Sequence, residues 1–235
     1  MGPNRVRRRR GLVAAGVAAL AAVLATRGTR HLGAHPAEVV QRHPGAHPAE
    51  VVRRHAGDER ADPADRVSTR AVTIAAPASQ VWPWLVQLGY RRGGWYAIDA
   101  LEAAIGAGTR SARTIRPDLQ QLAVGDRVPL SDRAHLLVHH LEVARSLVLV
   151  LPDAPLAWVW SFRLLPVPGG CRLVVRTSIG ARRWWVRPLL PLLEAGHAVM
   201  ELVQLRTIRR RVHACAADPP AGRASSPTRP GRSSG

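Results

Sequence analysis

Apolar and polar positions alternate with two different periods along this chain, and the change of period marks out the elements. Residues 68–75 (STRAVTIA) form a strand-like run. Ala76-Pro77-Ala78-Ser79 opens a helix, with Pro77 suited to its first position. Val81, Trp84, Leu85 and Leu88 follow at i, i+3, i+4 and i+7, an apolar stripe facing a core. Pro83 should kink this helix and Gly89 stop it. A second short helix is predicted over 96–105. The period then falls to two, and strands are predicted over 126–130, 135–143, 146–151, 157–165 and 172–179. Gly169-Gly170 makes the hairpin turn between the last two. Alternation is clearest where Trp158, Trp160, Phe162 and Leu164 share one face and Val159, Ser161 and Arg163 the other. A long helix follows over 192–213, with Leu192, Leu193, Val199, Leu202, Val203, Leu205 and Ile208 as its apolar set. Pro188 and Pro191 precede it, and the arginines of 206–211 suit its C-terminus. The order β-α-α-β(5-6)-α predicts an α+β fold, a curved antiparallel β-sheet wrapped around a long C-terminal helix. A bent sheet gripping one helix leaves a cavity between them unless side chains fill it.

The ends read differently. Met1–Arg10 is a basic head, and Gly11–Thr26 (GLVAAGVAALAAVLAT) carries no charge. As a helix this run would reach roughly 24 Å, against roughly 30 Å of bilayer hydrocarbon. Two readings stay open: a signal peptide with a small-residue site at Val23-Leu24-Ala25, or a retained membrane anchor. With either, the arginine asymmetry puts the domain outside the cytoplasm, membrane-associated if the segment stays and secreted if it is cleaved. Next comes a tandem repeat of period twelve: GAHPAEVVQRHP over 33–44 and GAHPAEVVRRHA over 45–56. Two copies are too few for a solenoid. Short helices over 37–42 and 49–54, started by Pro36 and Pro48, and solvated linker histidines (His35, His43, His47, His55) are the expectation. The chain thus divides into a basic leader with an apolar segment (1–30), a linker (31–66), a domain (67–214) and a tail (215–235) whose Pro, Gly, Ser and Arg content predicts disorder.

Composition narrows the function. The chain has 235 residues, 46% of them hydrophobic, so a real core can form. Two cysteines exclude a disulfide-stapled mini-protein. The formal charge of +18 invites a nucleic-acid or anionic-membrane reading. All 34 basic residues are arginine, and they are spread over leader, core and tail. They are not interleaved on one recognisable reading element, which argues against nucleic acid and leaves a basic surface suited to anionic lipid. Trp184-Trp185, flanked by Arg182, Arg183 and Arg187, suits either a membrane interface or a lid over the cavity.

Catalytic motifs are absent. There is no G-x-S-x-G, H-E-x-x-H, Walker A or C-x-x-C sequence. Cys171 and Cys215 read as unpaired thiols. His135 and His139 share a strand face but lie roughly 13 Å apart, too far for one metal, and His139 and His140 point to opposite faces. No metal site and no cofactor are expected. Asp99 and Glu102, three apart on the second helix, form a carboxylate pair that Arg91 and Arg92 would neutralise. Tyr96 and Asp99 at a pocket mouth, with His139, are the polar candidates for catalysis. Trp82, Trp95, Tyr96, Trp158, Trp160, Phe162 and Val175 are the candidates for lining a small apolar ligand, the rings either filling the cavity or stacking on what enters it.

Several stretches resemble a known family. Ala71-Val72-Thr73-Ile74, Ala76-Pro77 and Val81-Trp82-Pro83-Trp84-Leu85-Val86-Gln87-Leu88-Gly89-Tyr90 are similar to the opening of the SRPBCC superfamily (START and polyketide cyclase-like proteins), in particular a bacterial subgroup with a VWPWLVQ-G helix. Gly94-Trp95-Tyr96-Ala97-Ile98-Asp99 resembles its G-F-Y-S-x-D segment and Val124-Gly125-Asp126 its V-G-D strand entry. Residues 158–162 and 172–176 resemble its T-W-x-F and T-R-L-x-x-R strands, and 45–59 a lead-in of the pattern G-A-T…E-V…P-G-D-E. The match covers roughly residues 45–213. Trp95 stands for Phe, Ala97 for Ser and Cys171 for Thr. The resemblance implies a helix-grip fold that binds a small hydrophobic ligand, lipid- or polyketide-like. It also implies an alternative, a cyclase or dehydratase using Tyr96, Asp99 or a pocket histidine.

Overall fold

The computed structural model describes residues 43–97 and 110–217. Its elements are α1 (Pro48–Val52), β1 (Arg66–Ile74), α2 (Ala78–Val86), β2 (Arg127–Ser131), β3 (Ala134–Glu142), β4 (Ser146–Val150), β5 (Leu156–Val167), β6 (Gly170–Ala181) and α3 (Leu190–Ala217). The six strands form one antiparallel sheet in the order β1-β6-β5-β4-β3-β2. The four strands from β2 to β5 therefore each pair with the next in sequence, and β6 returns beside β5 to receive β1. The fold is α+β with α3 packed on the inner face, the helix-grip arrangement that the element order predicts.

The inner face is built by the alternation read from β5. Trp158, Trp160, Phe162 and Leu164 stand opposite Ile179, Thr177, Val175 and Leu173 of β6. Leu149 and Leu147 of β4 stand beside Trp160 and Phe162. The hairpin turns at Gly169, whose φ of 76° belongs to the left-handed region that glycine adopts freely. Pro77 caps α2 rather than starting it, and α2 runs on through Pro83. Only the first two residues of the predicted helix over 96–105 are described. Tyr96 has φ 56°, which is not α-helical; the rest of that helix, with Asp99 and Glu102, lies outside the described residues. Ahead of α3, a short 3-10 helix (Trp184–Leu189) fills what the sequence leaves as a proline-bearing connection.

The outer face is covered by residues expected in a linker. The second repeat copy lies on it, tied down by two β6 arginines. Arg172 pairs with Glu50 (Nη2 to Oε2, 2.8 Å) and donates to the Gly45 carbonyl at 2.5 Å. Arg176 pairs with Asp58 at 2.9 Å and donates to the Val51 carbonyl at 2.8 Å. The histidines here are not simply solvated. His55 is 5% exposed, its Nε2 2.9 Å from the Glu50 carbonyl, and His43 Nδ1 accepts from the Thr69 amide at 3.2 Å. Burial pushes the His55 pKa down from its ordinary value. Periodicity could not show this, because the segment docks by ion pairs and carbonyls rather than by an apolar stripe. Ala56 and Gly57 complete the contact by closing over Val148, Val150 and Val159.

Gly57 has φ 97°, and a Cβ there would lie 2.7 Å from Val148 Cγ1. Gly57→Ala is therefore expected to cost about 1–3 kcal/mol through strain and overpacking. A thermal melt that leaves the midpoint unchanged would mean that this segment does not pack on the sheet.

Candidate ligand site between the sheet and the long helix

The apolar stripe predicted for α3 holds at Val199, Leu205 and Ile208, which are buried, and shifts elsewhere. Leu202 and Val203 are only half-buried, whereas Glu201 and Gln204 are buried along with Ala198, Leu205, Ile208 and Val212. Positions 198, 201, 205, 208 and 212 follow the i, i+3, i+7 spacing of one helix face. Two polar side chains thus occupy the face turned to the sheet, where a purely structural helix would carry apolar ones.

Glu201 is the centre of a buried polar cluster. Its Oε2 pairs with Arg70 of β1, and both side chains are almost wholly enclosed (0% and 2% exposed). Its Oε1 accepts from Trp160 Nε1 at 3.0 Å and from Thr177 Oγ1 at 2.9 Å. Arg70 Nη1 also donates to Ser68 Oγ at 2.9 Å. One helix turn earlier, His197 stands edge-on to Trp158 and Trp160, with ring centroids 5.0 and 5.1 Å away. Burial pushes its pKa down to about 4, Arg70 adding to the shift and Glu201 opposing it, so the ring is neutral at pH 7.

Three indoles stack beside this cluster. Trp95 stacks on Trp160 at 5.6 Å, Trp158 on Trp160 at 5.6 Å, and Phe162 leans on Trp160 at 4.9 Å. Trp158 and His197 are half-buried, whereas Trp95 and Trp160 are buried, so the stack is closed at one end and reaches the surface at the other. Gln204 Nε2 donates to the Trp95 carbonyl at 2.8 Å. Among the described residues, four enclosed polar atoms of this region have no partner: Trp95 Nε1, Trp158 Nε1, His197 Nε2 and Gln204 Oε1. Buried polar atoms are almost always hydrogen-bonded. Four unmet atoms around one aromatic stack, two of them indole donors and one an amide acceptor, form a pattern that a small molecule with polar edges would satisfy.

The candidates read from the sequence fall into separate places. Trp95, Trp158, Trp160, Phe162 and Val175 all meet on the inner face. Trp82 is buried on α2 in the same apolar core. Tyr96, expected at a pocket mouth, is fully buried. It packs edge-on against Trp84 at 5.7 Å, and its hydroxyl oxygen accepts from Gln87 Nε2 at 2.5 Å. Burial pushes its pKa up to about 12, so this phenol stays protonated. Gln87 also accepts from the Arg116 amide at 2.9 Å, which makes Tyr96 part of a fastening between α2 and the loop before β2. His139 lies on the outer face, 3.2 Å from Glu59. A bulge between Val138 and His140 puts His140 opposite Val148, which faces outward, so His139 and His140 do not diverge to opposite faces. His140 Nε2 lies 2.9 Å from Ser146 Oγ. Cys171 is buried and Cys215 exposed, and they are not joined. His197, Glu201, Arg70 and Gln204 were not among the sequence candidates. The available signal was the placing of His197, Glu201 and Gln204 within an otherwise apolar helix face.

No family model matches this chain, and no curated protein matches it. Solved structures do. A polyketide cyclase-like protein from Corynebacterium glutamicum is 14% identical, with a TM-score of 0.40 over 67% of this chain and 96% of its own. Protein NE0264 from Nitrosomonas europaea is 12% identical, with a TM-score of 0.42 over 64% and 96%. Protein MLL2253 from Mesorhizobium loti is 19% identical, with a TM-score of 0.37 over 62% and 98%. None of them lends this chain a ligand or an activity.

Proposed function

We propose that this chain binds a small, flat, largely apolar molecule bearing hydroxyl or carbonyl groups, held against the Trp95–Trp160–Trp158 stack beneath α3. The observation that carries the reading is the set of unmet polar atoms around that stack. Leaving a buried donor or acceptor unpaired costs about 1–3 kcal/mol, and a ligand that pairs them recovers that cost on binding. The rings supply apolar area and offset stacking; the indole N–H groups and the Gln204 carbonyl fix orientation.

Native mass spectrometry and solvent extraction of the purified full chain test the proposal, together with fluorescence titration against aromatic polyketides and fatty acids. A bound molecule, or a saturable change in tryptophan emission, is the expected result. Trp158→Ala should weaken that binding by at least about tenfold, since ring–ring contacts are worth ~0.5–1.5 kcal/mol beyond the area they bury, and the lost apolar area adds to that. Ligand-free protein whose emission no compound alters would overturn the reading.

A second reading is favoured by one observation. His197 is a neutral imidazole with an enclosed, unpartnered Nε2 at the open end of the stack. Such a neutral ring can hydrogen-bond a bound hydroxyl or polarise a bound carbonyl, according to its tautomer, as a cyclase or dehydratase could use. The histidine serving that reading is then His197 and not His139. Retained ligand binding with lost turnover in His197→Leu would support catalysis; equal loss of both would leave a binding protein.

A further inference from the structure

A cleft lies outside the tryptophan site. It is a concavity of about 1140 Å³ between the turn carrying Arg60, strands β3 and β4, the loop over 151–155 and the start of the β6–α3 connection. Its ionisable side chains are Arg60, Arg182, Arg183, His139 and Asp153. Glu59 nearby is engaged with His139. Among the described residues, no carboxylate pairs with any of the three guanidiniums. Arg182 makes only a long 3.5 Å bond to the Leu151 carbonyl. The cleft is therefore a concave, net-positive surface whose charges are uncommitted.

The rim carries apolar groups that are exposed. Val124, which lines the cleft, is 62% exposed, and Trp184, next to Arg183, is 79% exposed. Trp184 is not loose. The Arg182 and Arg183 amides both donate to the Pro155 carbonyl, at 2.9 and 3.2 Å, and the Val186 amide donates to the Arg183 carbonyl at 3.0 Å. Val186 is buried with Ile179 and Leu190, and Trp185 packs against that cluster. Of two adjacent indoles, one anchors the turn and the other is held in solvent.

We propose that this corner of the molecule docks on an anionic lipid bilayer, a lipid phosphate entering the arginine cleft while Trp184 and Val124 settle at headgroup depth. Guanidinium groups bind phosphate with two parallel hydrogen bonds. Indoles concentrate at the membrane–water interface because one end is apolar and the other donates a hydrogen bond. Nucleic acid would use the same arginines, but it is recognised on rows of stacking rings or on a groove-reading element. This surface offers one ring and an aliphatic side chain. Among the described residues no helix is long and apolar enough to cross a membrane. The inference stands apart from the ligand site on the inner face.

Co-sedimentation of the full chain tests it, with vesicles of equal parts phosphatidylglycerol and phosphatidylcholine and with vesicles of phosphatidylcholine alone. Binding is expected to the anionic vesicles and to weaken with added salt. Trp184→Ala, and separately Arg182→Glu with Arg183→Glu, should each lower partitioning by about tenfold or more. Arg209→Glu with Arg210→Glu makes the same change of charge at the exposed end of α3 and should have less than half that effect on a logarithmic scale. Circular dichroism melts confirm that each variant folds. Equal losses in the cleft and control variants, or none, would overturn the proposal, because net charge alone would then govern binding. Displacement by millimolar inorganic phosphate would overturn it in favour of a free-anion site. A duplex oligonucleotide that binds with the same cleft dependence while vesicles do not would overturn it in favour of nucleic acid.

Discussion

Replacing Glu201 by alanine is expected to lower stability by about 3–5 kcal/mol, the range for breaking one partner of a buried ion pair. The loss has three parts. The Arg70 guanidinium remains enclosed with its charge uncompensated, and the Trp160 indole and Thr177 hydroxyl both lose their acceptor. Urea denaturation followed by circular dichroism measures it. Arg70→Leu combined with Glu201→Leu should recover most of the loss, because a well-packed apolar pair avoids the cost of desolvating two charges. A loss below ~1 kcal/mol in Glu201→Ala would show that this cluster is open to water.

The second large effect is a dependence on pH. The folded-state pKa of His197 is about 4, below its ordinary value of 6.5, so the native state refuses a proton that the unfolded chain accepts. Between those two values the unfolded chain binds more protons, and stability rises with pH. The contribution is complete above pH 6.5 and is lost as pH falls towards 4. Across that window it reaches at most ~3 kcal/mol at 1.36 kcal/mol per pKa unit. His55 is shifted the same way by burial, so its contribution too is lost as pH falls below its ordinary value. The carboxylates of Glu50 and Glu59 are held below their ordinary 4.5 by their hydrogen bonds and cationic partners, against the burial that raises them; their stabilisation is lost only as pH falls below that value. The comparison that isolates His197 is therefore wild type against His197→Leu. Denaturation midpoints measured from pH 7 to pH 4 should fall more steeply for wild type. Parallel curves would mean that the His197 ring is solvated in the native state.

Both effects come from the region proposed to hold a ligand, and one physical reason links them. A wholly apolar interface between α3 and the sheet would be more stable than one containing an ion pair, a neutral histidine and unmet amide and indole groups. Polar groups kept in such a place either fix the register of helix on sheet or meet something that enters. The hydrogen-bonded cluster of Arg70, Glu201, Thr177 and Trp160 does the first. The atoms of Trp95, Trp158, His197 and Gln204 that lack a partner among the described residues are the ones the proposed ligand would pair.

Much of this was legible in advance, and the limits follow from what a local pattern can encode. The strict alternation in β5 put Trp158, Trp160 and Phe162 on one face, because successive side chains of a strand must point to opposite sides. The hairpin after it followed from two glycines. The linker reading failed for residues 43–65, since what binds them is Arg172 and Arg176, more than a hundred residues away in sequence. Tyr96 was misplaced for a related reason: its partner Gln87 caps the end of α2, and burial of a phenol leaves no periodic trace. The opposite-face reading of His139 and His140 failed at a bulge, where one extra residue resets the alternation.

By itself, then, the sequence determined the order of elements, the two faces of the main hairpin and the aromatic character of the inner wall. Each of these is written in spacings of two to four residues, the scale on which backbone geometry acts. Only the tertiary structure decided which stripe of α3 turns inward. A long helix carries several partly apolar stripes, and the choice between them rests on Arg70 of β1, 131 residues from Glu201 along the chain. The same choice makes Glu201 a buried counter-ion, His197 a neutral ring against two indoles, and the wall of tryptophans a candidate binding site.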